Sequence, residues 1–139
     1  MGLQMLKNAL YLATALFWLA GAPANAEGQA VTFQFVQKSH NERFFAKTDD
    51  PAVIAAARAQ LALPFDQRTL HINGAVDAGD GGVNAPWSWH FKTSAWKMSE
   101  FSMEVCDGWP SYVEEHLDEW LKAPGSFCPW ASRVEAEAK

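Results

Sequence analysis

Four polar residues of this chain, His90, Glu104, Asp107 and Arg133, have the types that proton transfer and anion binding use. Each sits close to aromatic residues or to a cysteine. Trp87, Trp89 and Phe91 alternate with Ser88 and His90, which on a strand puts the imidazole opposite three aromatic rings. Phe101, Met103 and Val105 alternate in the same way with Ser102 and Glu104, and mark a second strand ending at Cys106. If those strands pair, His90 and Glu104 share the outer face. A histidine beside one or two carboxylates can move a proton or hold a metal, the chemistry of an acid–base or metal-assisted hydrolase. The same residues serve equally well as scaffolding, with Glu104 or Asp107 paired to Arg133 across strands and His90 making one hydrogen bond. The chain contains no HExxH, no GxSxG and no recognisable Ser/His/Asp order, so no residue is assigned as catalytic. No cofactor and no metal are expected. Asp77 and Asp80 in the glycine-rich stretch Asp77–Gly82 lack the alternating acids of a calcium loop, and read as a turn between strands. His71 and His116 read as surface or boundary residues, and His40 as part of a turn.

The second chemical resource is indole. The chain has seven tryptophans, six of them beyond residue 26. A buried aromatic removes on the order of 150–250 Å² from water, and six cannot all fit inside a domain of this size. Some of Trp87, Trp89, Trp96, Trp109 and Trp130 are therefore expected to line a surface or groove. The candidate binding residues are Trp87, Trp89, His90, Glu104, Asp107, Trp130 and Arg133, beside Cys106 and Cys128. They fit a protein or peptide partner first, and a glycan or other small ligand second, since exposed indole rings suit sugar faces.

Several elements must position these groups. Val31, Phe33 and Phe35 alternate with polar residues as in a half-buried strand. Arg43–Ala46 either pairs back on it or continues it past a bulge. Thr48-Asp49-Asp50-Pro51 reads as a helix start, with a capping oxygen, acids at the positive end and proline in the first turn. The following helix places Ile54, Ala57 and Leu61 on one face and ends at Pro64. Leu70, Ile72, Ala75 and Val76 mark another strand. Ser111 and Glu114 fit a capping box, and Val113, Leu117, Trp120 and Leu121 form a narrow apolar stripe that Pro124 and Gly125 terminate. Phe127 to Val134 reads as a last strand and Glu135–Lys139 as a fraying tail. The order predicts an α+β domain: an antiparallel sheet of about five strands with two helices packed on one face, and one disulfide.

The N-terminus bears on that disulfide. Lys7, the apolar run Ala9–Ala22 and the small residues of Ala24-Asn25-Ala26 read as an export signal cleaved after Ala26. The run is short of the ~20 apolar residues that span a bilayer, so no membrane anchor is expected after cleavage. A periplasmic or secreted location follows, and in it two cysteines 22 positions apart default to a disulfide adding about 3 kcal/mol. Residues 27–139 form a single domain of 113 residues. Its net charge of −6 and lack of a basic cluster argue against nucleic acid as a partner.

Several separated strings resemble one family. They are Asn84 to Phe91, Glu104 to Gly108, Tyr112 to Glu119 and Cys128 to Arg133, with Arg43 to Arg58 before them. The resemblance is to the N-terminal domain of an amoebal calmodulin-binding protein, a domain shared by small exported bacterial proteins, and it spans Val31 to about Val134. The family name implies calmodulin, but calmodulin takes basic amphipathic helices and neither helix here is basic, so calmodulin is not expected as the partner.

Overall fold

The computed structural model describes residues 28–139, and the expected leader at 1–26 lies outside the described residues. β1 (Val31–Gln37) and β2 (Glu42–Thr48) form a hairpin, settling the open choice at Arg43–Ala46 in favour of pairing back. Asn41 supplies its left-handed position with φ of 50°, a conformation asparagine tolerates. β6 (Ser132–Glu137) joins the other side of β1, giving a three-stranded antiparallel sheet in the order β2-β1-β6. The second antiparallel sheet contains β3 (His71–Ala78), β4 (Trp89–Ser99) and the two-residue β5 (Ser126–Phe127), in the order β4-β3-β5.

The sheets enclose one core. Phe33, Phe35, Phe44 and Ala46 from the first meet Ile72, Val76, Trp89, Phe91 and Phe127 from the second. Trp96 reaches Phe33 and Phe35 edge-on, with ring centroids 6.4 and 5.8 Å away. Gly74 permits this, because a Cβ there would lie 2.2 Å from that of Trp96.

β2 runs beside β4 without pairing to it, and side chains satisfy its outer edge instead. Trp87 Nε1 donates to Arg43 O and Trp96 Nε1 to Lys47 O, both at 2.8 Å. Phe45 N donates to Asn84 Oδ1 at 2.7 Å, and Asp49 N to Ser94 Oγ at 3.1 Å. Every second residue of the edge is thereby covered, which removes a template for strand addition. Asn84 is buried and also donates to Trp89 O at 2.7 Å, so one amide ties β2 to β4.

Helix α1 (Pro51–Leu61) starts as its sequence predicts. Asp50 Oδ1 accepts from Ala52 N at 2.9 Å, and proline occupies the first turn. It packs against β4 and β6, burying Val53 and Ala57, with Ile54 and Leu61 half-buried. Gln60 Oε1 then accepts from Thr69 N and Leu70 N, both at 3.0 Å, and directs the chain into β3.

Six expectations need correction. The single sheet is two sheets, because β1–β2–β6 and β3–β4–β5 meet through side chains rather than through a backbone ladder. The second helix is two, α2 (Pro110–Glu115) and α3 (Leu117–Lys122), broken at His116 with φ −121° and ψ 27°. α2 rests on β2 and α3 on β3. No capping box forms, because Ser111 N donates to Glu42 Oε2 at 3.0 Å and Glu114 Oε2 accepts from Ser88 N at 2.8 Å. The last strand is likewise two, β5 and β6, separated by a turn in which Ser132 N donates to Pro129 O. The tail does not fray: β6 runs to Glu137, and Ala138 N donates to Thr32 O at 2.8 Å. Arg43 and Arg58 pair with Glu135 and Glu137 along it.

The sixth correction concerns Phe101–Val105, which is not a strand. β4 continues to Ser99, after which the chain leaves the sheet and makes only a short 3-10 turn at Glu104–Cys106. Phe101, Met103 and Val105, expected in the core, are instead 85%, 72% and 59% exposed.

Candidate functional site

Cys106 and Cys128 form the expected disulfide, with Cα atoms 5.1 Å apart. Cys128 N also donates to Cys106 O at 2.7 Å, so backbone and cystine together fasten the end of the 101–106 segment to the β5–β6 connection. Both sulfurs lie 3.2 Å from Met103 O. The segment is therefore a held ridge carrying three outward apolar side chains. Asp107 extends the clamp: its Oδ1 accepts from Gly108 N and from Trp130 N, both at 2.9 Å. Trp130 O accepts from Arg133 Nη1 at 2.8 Å. The backbone of Trp130 is thus held by hydrogen bonds at both N and O, while the residue as a whole is 41% exposed.

Two depressions flank that ring. The smaller, about 180 Å³, is lined by Thr69, His71, Phe101, Ser102, Trp130 and Arg133, with Glu100 at its side. His71 is buried there, with Nε2 2.6 Å from Ser102 Oγ, and Asn73 Nδ2 donates to the same oxygen at 2.9 Å. Burial holds the imidazole below its ordinary pKa, the charge of Arg133 acts in the same direction, and Asp107 opposes them. Arg133 also donates from Nε to Arg68 O at 2.6 Å and from Nη1 to Ser132 O at 2.6 Å. Its bonds go to carbonyls, not to Glu104 or Asp107 as the pairing alternative expected.

The larger depression, about 570 Å³, lies on the other side of Trp130 and contains Gln37, His40, Glu104, Asp107 and Trp109. Trp109 stacks on His40, with centroids 4.3 Å apart and planes 10° from parallel.

The structure therefore gathers Glu104, Asp107 and Trp130 around one groove and joins Arg133 to them through Trp130. Trp87, Trp89 and His90 line neither depression. Trp89 is fully buried in the core, and Trp87 is half-buried against it with centroids 6.2 Å apart. His90 Nδ1 lies 2.7 Å from Gly79 O, and its ring lies under Gly81, where a Cβ would come within 2.5 Å. His90 and Asp77 are paired at one end of β3, six residues or about 20 Å from His71 at the other.

Sequence reasoning missed His71, Ser102 and Gln37, and it placed the ridge residues inside the core. The partner of His71 is 31 positions away, a distance at which spacing carries no signal. Among the described residues no group of three or more His, Cys, Asp and Glu could hold a metal ion, and no helix is long and apolar enough to cross a membrane.

Comparison with curated proteins and with solved structures finds no match. The profile of the BP-74 N-terminal domain, the family that the sequence strings resemble, matches residues 29–139. That is nearly the whole described region and all of the site. The chain belongs to the BP-74 N-terminal domain family.

Proposed function

We propose that this is an exported recognition domain that binds a protein or peptide segment across the disulfide-held ridge. One observation carries the reading: Phe101, Met103, Val105 and Trp130 present apolar side chains to solvent on a segment whose backbone is clamped by the cystine and by Asp107. Apolar side chains exposed side by side disfavour the isolated state, and a fixed backbone lowers the entropy cost of binding. The depressions beside Trp130 offer places for side chains of an extended segment. The disulfide itself supports an oxidising compartment.

Panning random peptides on the oxidised full chain tests this. Wild type is expected to enrich a consensus containing apolar residues. The double substitution Phe101→Asp and Met103→Asp, at positions that contribute little to the core, is expected to keep the melting temperature and lose those peptides. Peptides retained equally by the double variant, or by the chain after reduction of Cys106–Cys128, would contradict the reading. A glycan ligand is the second reading, favoured by the exposed indole of Trp130 beside the Glu104 and Asp107 carboxylates. A sugar panel followed by tryptophan fluorescence distinguishes it.

A further inference from the structure

The larger groove beside Trp130 has a chemical bias that the ridge does not share. Its lining includes two carboxylates, those of Glu104 and Asp107. Glu104 is exposed, and its carboxylate accepts no side-chain hydrogen bond among the described residues. Asp107 uses Oδ1 for two backbone N–H groups, which leaves Oδ2 open. No lysine or arginine lines the groove, and His40 has its ring face covered by Trp109.

The second observation is independent of these carboxylates. Gln37, the last residue of β1, lines the same groove and is only 3% exposed, yet its Oε1 has no hydrogen-bond partner. Its Nε2 donates to Ser39 Oγ at 3.3 Å, so the amide is oriented and the oxygen is the end left over. A buried acceptor without a donor costs about 1–3 kcal/mol and is rare in folded proteins. A donor brought by a ligand removes that cost.

Two carboxylates, an orphaned amide oxygen and an indole face call for a group that is cationic, rich in N–H donors and flat. A guanidinium meets all three conditions: it forks onto a carboxylate, stacks on indole and has donors to spare for Gln37. An ammonium supplies the charge without the plane. We propose that the groove formed by Gln37, Glu104, Asp107, Trp109 and Trp130 is the pocket for an arginine side chain of the bound peptide. This rests on the peptide-binding reading above, and it defines the partner as a segment with an arginine next to apolar residues. The arginine enters the groove while its apolar neighbours lie over Phe101 and Met103.

The test uses the oxidised full chain and a small probe, N-acetyl-arginine methylamide, with the citrulline analogue as its uncharged isostere. Binding is read from the indole N–H resonances of Trp109 and Trp130. The arginine probe should shift both saturably and the citrulline probe should not. Glu104→Gln should weaken the arginine probe about threefold to tenfold, with the melting temperature unchanged. Gln37→Met should weaken it too while leaving stability equal or higher, because the substitution removes an unpaired buried oxygen. A Gln37 that is merely structural gives the reverse, a lower melting temperature with unchanged affinity. Equal binding of the citrulline probe, or an unmoved affinity in Glu104→Gln, overturns the proposal. If panning yields apolar peptides without arginine and the probe does not bind, this inference fails and the ridge reading stands. If the probe binds and panning yields nothing, the ridge reading fails instead.

Discussion

Two aromatic-rich stretches of this domain look alike in sequence and do opposite things. In the stretch from Asn84 to Trp96, rings face inward and polar atoms tie strands together: Trp87 and Trp96 donate to carbonyls of β2, and Asn84 bridges β2 to β4. From Phe101 to Trp109, with Trp130 across the cystine, the backbone is tied down and apolar side chains point out. Both stretches combine tryptophan with small polar residues. What separates them is where the backbone finds its hydrogen bonds. Trp87 and Trp96 repair an open sheet edge, which turns the rings inward. Asp107 and the disulfide fix the ridge from beneath, which frees Trp130 and Phe101 to face solvent.

The contrast breaks most visibly at Trp89 and Phe101. Trp89→Ala should cost about 3–5 kcal/mol in denaturant unfolding, through lost burial and the cavity left behind. Phe101→Ala should stay within about 0.5 kcal/mol of wild type, as expected of an exposed position. Comparable losses at the two positions would dissolve the distinction.

Asn84→Ala comes next. It leaves Phe45 N and Trp89 O without partners, at an expected cost of about 2–4 kcal/mol. It should also speed hydrogen exchange along β2 while the ridge amides exchange at wild-type rates. Spread of the effect to the ridge would mean that the regions form one unit.

The smallest effect concerns His71, on the ridge side. Its folded-state pKa lies below its ordinary value near 6.5, through burial first and Arg133 second, with Asp107 opposing. The unfolded chain therefore takes up the proton first as pH falls. Stability should decline from about pH 6.5 downward and level off below the folded-state pKa. His71→Gln should remove that part of the decline, measured as melting temperature from neutral into mildly acidic buffer. A decline that survives the substitution assigns it to other groups.

Local chemistry made part of this legible. Asp50 and Pro51 announce α1, because capping depends on residues one to three positions apart. The alternation of Phe33 and Phe35, and the stripe containing Val113 and Trp120, identify buried faces correctly. Phe101, Met103 and Val105 misled because alternation records a period and says nothing about whether a partner strand exists. β4 instead takes its partner from β3 as far as Ser99, and the segment after it is held by a crosslink. Within the site, Glu104, Asp107, Trp130 and Arg133 were legible from their closeness to the cysteines. Trp87, Trp89 and His90 joined them through an expected pairing of their strand with Phe101–Val105, and that second strand does not form. Gln37 was invisible: its position depends on β1 being the central strand, flanked by β2 and β6.

The bond from Ala138 N to Thr32 O has a consequence for how the domain can be displayed. It joins the two ends of the described region at one pole, where Gln29, Ala30 and Lys139 border a common hollow. β1 runs from that pole to Gln37, a span of about 20 Å. A fluorophore, bead or fusion attached at residue 139 therefore sits at the far pole from Trp130. Immobilised that way, the molecule stands like a stud on a stem, with its ridge turned toward whatever flows past.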